Sequence, residues 1–94
     1  MEKRRDDAGT LWTSAETDEA IIRIVARLAH RDDVRKSTSF GPKGLNWDKL
    51  ARLAVIKPIH KTLHERLDAA LVAGHVSKVA DLCDAVWALM EVVP

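Results

Sequence analysis

Apolar positions recur at helical spacing along most of the chain. Ile21, Ile24, Val25 and Leu28 stand at i, i+3, i+4 and i+7, one face of an α-helix, and Arg23, Arg27 and Arg31 fall away from it. Thr13 and Glu16 have capping-box spacing and Thr17 offers a second N-cap, so the pattern predicts a helix over about residues 15–30. Leu50, Leu53 and Ala54 start a second inward stripe, with Asn46 or Asp48 available to cap it. Pro58 lacks a backbone donor and is expected to kink or divide that helix near Lys57. Ile59, Leu63, Leu67, Ala70 and Leu71 resume the stripe, and Gly74 is a natural stop. Ser77 would cap a last helix whose apolar face is Val79, Leu82, Cys83, Val86, Trp87 and Met90. No segment alternates at period two over any length. The predicted fold class is all-α, a bundle of three to four helices with a long loop between the first and second. Ile21, Ile24, Val25, Leu28, Phe40, Leu50, Leu63, Val79, Val86 and Trp87 are expected to meet in one core.

The segments between the stripes set the domain plan. Residues 1–12 open with MEKRRDDAG, which is polar and aperiodic, and read as a flexible charged tail. Residues 13–94 read as a single helical domain. The loop over residues 31–46 is long for so small a domain and should be pinned. Val34, Phe40 and Leu45 are its only sizeable apolar anchors.

Composition narrows the function classes. Ninety-four residues suit one modest core and no large buried active site. Apolar content of 47% against 31% charged residues is a globular balance, not a disordered one. A net charge of +1 demands neither nucleic acid nor a membrane. Cys83 is alone, so no internal disulfide forms, and no apolar run is long enough to span a bilayer. With no apolar stretch behind the charged N-terminus to act as a secretory signal, the reading is a cytoplasmic protein.

Candidate chemistry is sparse. His60 and His64 have the i, i+4 spacing of a shared metal, with Glu65, His75 and Cys83 as further ligand types. Lys61 stands where a metalloprotease helix needs its glutamate, and two surface histidines are the preferred reading, with no metal. Cys83 falls on an apolar face and reads as core. Trp47, beside the loop, either closes over the core or stands exposed as an interface anchor.

The order helix, anchored loop, helix, link, helix resembles the acyl carrier protein family over roughly residues 16–92. Val34, Ser37-Thr38-Ser39 and Phe40 match the family's loop. Gly44-Leu45-Asn46-Trp47-Asp48-Lys49-Leu50 stands where carriers approach their Asp-Ser-Leu motif, and Leu63 matches a large apolar residue of the second helix. Ser77-Lys78-Val79-Ala80-Asp81-Leu82 is similar to the family's Thr-Val-x-Asp-Leu opening of the last helix. The resemblance implies a serine carrying a phosphopantetheine arm, but the matching position is Lys49, or Asp48, and neither accepts it. Ser37 and Ser39 lie too early in the loop. The family's second helix is typically acidic, whereas Lys49, Arg52, Lys57, Lys61 and Arg66 here face only Asp48 and Glu65.

The resulting expectation is a non-enzymatic, acyl-carrier-like protein-interaction module with no phosphopantetheine or other cofactor. It would serve a biosynthetic complex or another pathway by binding an acidic partner through Trp47, Lys49, Arg52 and Lys57. The alternatives are a small helical nucleic-acid-binding domain, which the balanced charge argues against, and a working carrier modified at an unexpected serine.

Overall fold

The computed structural model describes all residues, Met1–Pro94. Two short strands open the chain, β1 (Lys3–Arg5) and β2 (Leu11–Thr13), followed by the long helix α1 (Ser14–Ala29). After the loop come α2 (Lys49–Leu53), α3 (Ile56–Leu63), α4 (Ala69–Gly74) and α5 (Val79–Leu89), and a last strand, β3 (Glu91–Val92). The strands form one antiparallel sheet in the order β2-β1-β3. The expected all-α bundle is thereby overturned: the fold mixes helices with a three-stranded sheet, and the description as an acyl-carrier-like helical bundle goes with it.

The residues read as a tail build that sheet. Lys3 pairs with Thr13, Arg4 with Trp12 and Arg5 with Leu11, while Arg4 and Arg5 also face Val92 and Glu91. The hairpin turn is organised by Asp6, which is 4% exposed. Its carboxylate accepts from the backbone N–H groups of Ala8 and Thr10, each at 2.9 Å, an arrangement that mimics a backbone turn. Arg4 lies 4.6 Å over the Trp87 ring and donates to the Trp87 carbonyl at 2.9 Å, a second donor beside Met90 N at the end of α5.

Local chemistry sets the helix boundaries. Thr13 caps α1, with Glu16 Nα donating to its hydroxyl and Thr13 Nα donating back to the Glu16 carboxylate. His30, in the left-handed region at φ 53°, ends it. Asp48 caps α2. Pro58 falls in the first turn of α3, where a missing N–H costs no helical bond, so the break lies just upstream at Ala54–Val55. The stripe expected to run on through Leu67 is interrupted at His64 (φ 56°), and Asp68 starts α4. Ahead of α5, Lys78 takes the capping position expected of Ser77, while the Asp81 carboxylate accepts from Ser77 N, Ser77 Oγ and Lys78 N.

One core holds Ile21, Val25, Phe40, Ile59, Leu63, Val79, Leu82 and Val86, all at most 1% exposed. Four expected core members lie elsewhere: Ile24, Leu28 and Trp87 are half-buried at its rim, and Leu50 is 78% exposed. The loop is pinned through Val34 and Phe40, both buried, and through its backbone. The carbonyls of Lys36 and Thr38 accept from Ala80 and Val79, the first donors of α5, and Phe40 donates to Ser77. Gly44 has room only for hydrogen, since a Cβ there would stand 2.0 Å from the Ser39 carbonyl oxygen.

Candidate functional site

The four residues expected to form the binding surface divide into two pairs. Trp47 is half-buried and stacks on Phe40, ring centroids 5.5 Å apart and planes at 30°. Arg52 donates through Nε to the Trp47 carbonyl at 3.2 Å and through a terminal nitrogen to the Val76 carbonyl at 2.9 Å. These two side chains close the loop and tie α2 to the α4–α5 link. They are structural parts rather than free contact groups. Lys49 and Lys57 are exposed and in no ion pair, as are Lys43, Lys61 and Arg66.

The exposed apolar residue of this stretch is Leu50 rather than Trp47. A five-residue helix that starts at Lys49 turns Leu50 out to solvent, so an apolar side chain stands in the most basic part of the chain. Residues 43–66 carry six Lys or Arg against two Asp or Glu. Of those acids, Asp48 is used as the α2 cap, accepting from Ala51 N at 2.8 Å, and Glu65 is buried. Burial pushes the Glu65 carboxyl above its ordinary value, and the carboxylates of Asp7 and Asp6 add to the rise. The positive face is therefore not neutralised from within.

Beside it runs a groove of about 850 Å³ between α1 and α3. Trp12, Ile24, Leu28 and Pro58 give it an apolar floor, and Arg27, Lys57 and Lys61 stand along it. Ile24 and Leu28 belong to the helical stripe read from the sequence. They are half-buried because part of that stripe lines this groove instead of entering the core.

The remaining polar cluster is at the hairpin. Asp6, whose side chain is fully buried, accepts from Trp12 Nε1 at 2.8 Å and pairs with His64 Nδ1 at 2.9 Å. Burial alone would raise this carboxyl, but the bonds from His64, Trp12, Thr10 and Ala8 outweigh it and hold it below its ordinary value. His64 is thus engaged with the hairpin while His60 is exposed on α3. No three His, Cys, Asp or Glu side chains are placed to hold a metal ion. Cys83 is buried, and that burial, with Asp18 nearby, pushes its thiol up to about 12. Ser39 Oγ accepts from Gly41 N at 2.9 Å, a turn contact. No helix is long and apolar enough to cross a membrane.

No protein-family model matches the chain, and no curated protein or solved structure matches it.

Sequence reasoning missed Asp6, Trp12 and Leu50. Asp6 carried a usable signal, since an Asp followed by Asp-Ala-Gly-Thr is turn chemistry. Leu50 carried none, because an apolar residue at helical spacing reads as core wherever the helix is assumed to continue.

Proposed function

We propose that the protein is a non-enzymatic interaction module acting in the cytoplasm, and that it binds a protein partner with an acidic surface through the start of α2 and the face of α3. One observation carries the reading: Leu50 stands 78% exposed beside Lys49, in a stretch whose cations have no internal acidic partners. Exposed apolar area with a charged rim is the make-up of a protein interface. The unpaired lysines supply orientation and salt-sensitive association. Lys49, Leu50 and Lys57 are the contact residues, while Trp47 and Arg52 hold the platform in shape. The balanced charge outside this face, nine Lys or Arg against twelve Asp or Glu, favours a protein over a nucleic acid.

Site-directed photocrosslinking tests this. A crosslinking residue at position 50 should give one dominant protein adduct in the native host, absent when it is placed at position 84 on α5. The adduct's partner, purified, should bind wild type more weakly as salt rises, and should lose affinity for the Lys49→Glu, Leu50→Ser variant. Equal adducts from both positions would overturn the reading.

A further inference from the structure

We infer that the groove between α1 and α3 is a seat for an acidic amphipathic helix of a partner protein. The proposal rests on the reading of the chain as a binding module for an acidic partner, and gives that partner a definite shape. Three observations carry it.

The first is geometry. Trp12 at the head of α1 bonds Asp6, and Asp6 bonds His64 at the end of α3. The head of α1 thus lies beside the end of α3, and the groove extends along α1 from Trp12 to Leu28. Sixteen residues of α1 rise roughly 24 Å along one wall and the eight of α3 roughly 12 Å along the other, so both walls flank about two turns of a guest helix. The second is the floor, where Trp12, Ile24, Leu28 and Pro58 are half-buried and partly open to solvent. An apolar floor between two helices receives the apolar stripe of a third.

The third is charge, which selects the guest. Lys57 and Lys61 stand one turn apart on α3, and Arg23 and Arg27 stand one turn apart on α1 across the groove. The lining also holds two acids, both on α1. Glu19 pairs with Arg23 at 2.7 Å, and Glu16, which accepts from Thr13 N in the capping box, keeps its charge near the Trp12 end, so the free cation of the α1 wall is Arg27. Arg27, Lys57 and Lys61 have no ion pair. A helix whose apolar stripe is bordered on both sides by Glu or Asp would meet cations from both walls, as flanking charges do beside a coiled-coil seam. A helix bordered by Lys would be repelled.

The test uses synthetic helices of about 18 residues, long enough to be substantially helical. One carries Leu at i, i+3 and i+7 with Glu on both flanks, and a second replaces every flanking Glu by Lys. Fluorescence anisotropy measures their binding to the full chain. The Glu-flanked peptide is expected to bind, weaken with salt, and lose about tenfold or more in affinity to the Lys57→Glu, Lys61→Glu variant. The Trp12 indole N–H signal should shift on binding in NMR. Circular dichroism checks that each variant is folded, and Lys57→Ala, Lys61→Ala, with a smaller loss, is the milder control. No binding, equal binding of the Lys-flanked peptide, or full affinity in the groove variants overturns the groove. Dodecanoate displacing the peptide below its micelle concentration, and binding more tightly than the peptide, would also overturn it by making the occupant a small amphiphile. The Asp84→Ala variant on α5, outside both surfaces, should leave peptide binding unchanged. A failed groove does not sink the α2 contact, which stands or falls on its own crosslinks at position 50.

Discussion

Replacing Asp6 by alanine should remove the anchor of the N-terminal sheet. The carboxylate accepts four bonds of 2.8 to 2.9 Å, from Ala8 N, Thr10 N, Trp12 Nε1 and His64 Nδ1. Bonds to a charged group contribute about 1.5 to 3 kcal/mol each when the donors are left unpaired. Ala8 and Thr10 are exposed and recover water, and His64, 42% exposed, recovers part of its loss. Only the Trp12 bond is charged near the full value, and the expected cost of Asp6→Ala is about 3 to 4 kcal/mol. That is a large share of the roughly 5 to 15 kcal/mol that holds a domain together. Urea unfolding followed by Trp fluorescence and by far-UV circular dichroism measures it. Because the folded carboxyl titrates below its ordinary 3.8, its contribution is fully present above that value and is lost as pH falls through the folded pKa. The gap between wild type and variant should shrink only under acid conditions. A cost under about 1 kcal/mol at neutral pH would refute the claim that Asp6 anchors the hairpin.

Phe40→Ala should cost about 3 to 5 kcal/mol in the same assay, since the ring is 1% exposed and pins the long loop. Arg52→Ala should lower stability by about 1 to 3 kcal/mol, as it leaves the Trp47 and Val76 carbonyls without their donor, and an unchanged urea midpoint would return Arg52 to the list of free surface cations. Glu65→Gln should stabilise the fold at neutral pH and do nothing in acid: the folded carboxyl holds its proton more tightly than the unfolded one, so ionisation destabilises as pH rises through that window. Cys83 should resist thiol reagents until the chain unfolds, and rapid labelling of the native protein at neutral pH would contradict a thiol pushed up to about 12.

The parts of the fold that were legible in the sequence are those decided by neighbours. Thr13 and Glu16 announce the start of α1 because the capping box closes within one turn. Pro58 announces a break because the ring excludes its own donor, though the break falls one turn earlier than Lys57. Phe40 stands out because a lone aromatic in a polar loop has few other uses. The sheet was not legible. Its strands are two or three residues long, and Lys3-Arg4-Arg5 offers no alternation to detect. One side of β1 pairs locally with β2, and the rest of what holds it is distant: Val92 beside Arg4, and the Trp87 ring beneath its guanidinium. The proposed binding surface was half legible for the same reason. Lys49 and Lys57 are exposed as their charge suggests, but Arg52 is drawn inward by the Val76 carbonyl, 24 positions away in the chain.

The central place of β1 in the sheet also bears on how the chain is made. During synthesis the N-terminal region emerges first, and at about 5 to 20 residues per second the last strand follows seconds later. The turn at Asp6 and the pairing of β1 with β2 draw mostly on residues close in sequence, so the hairpin can close early. Its other edge then waits, because Arg4 and Arg5 have no partner on that side until Glu91 and Val92 exist. An open edge is a template for pairing with the wrong chain, and cationic side chains along it are a protection against that. The three basic residues that made this segment look like a tail would keep nascent chains from joining edge to edge until the proper strand arrives.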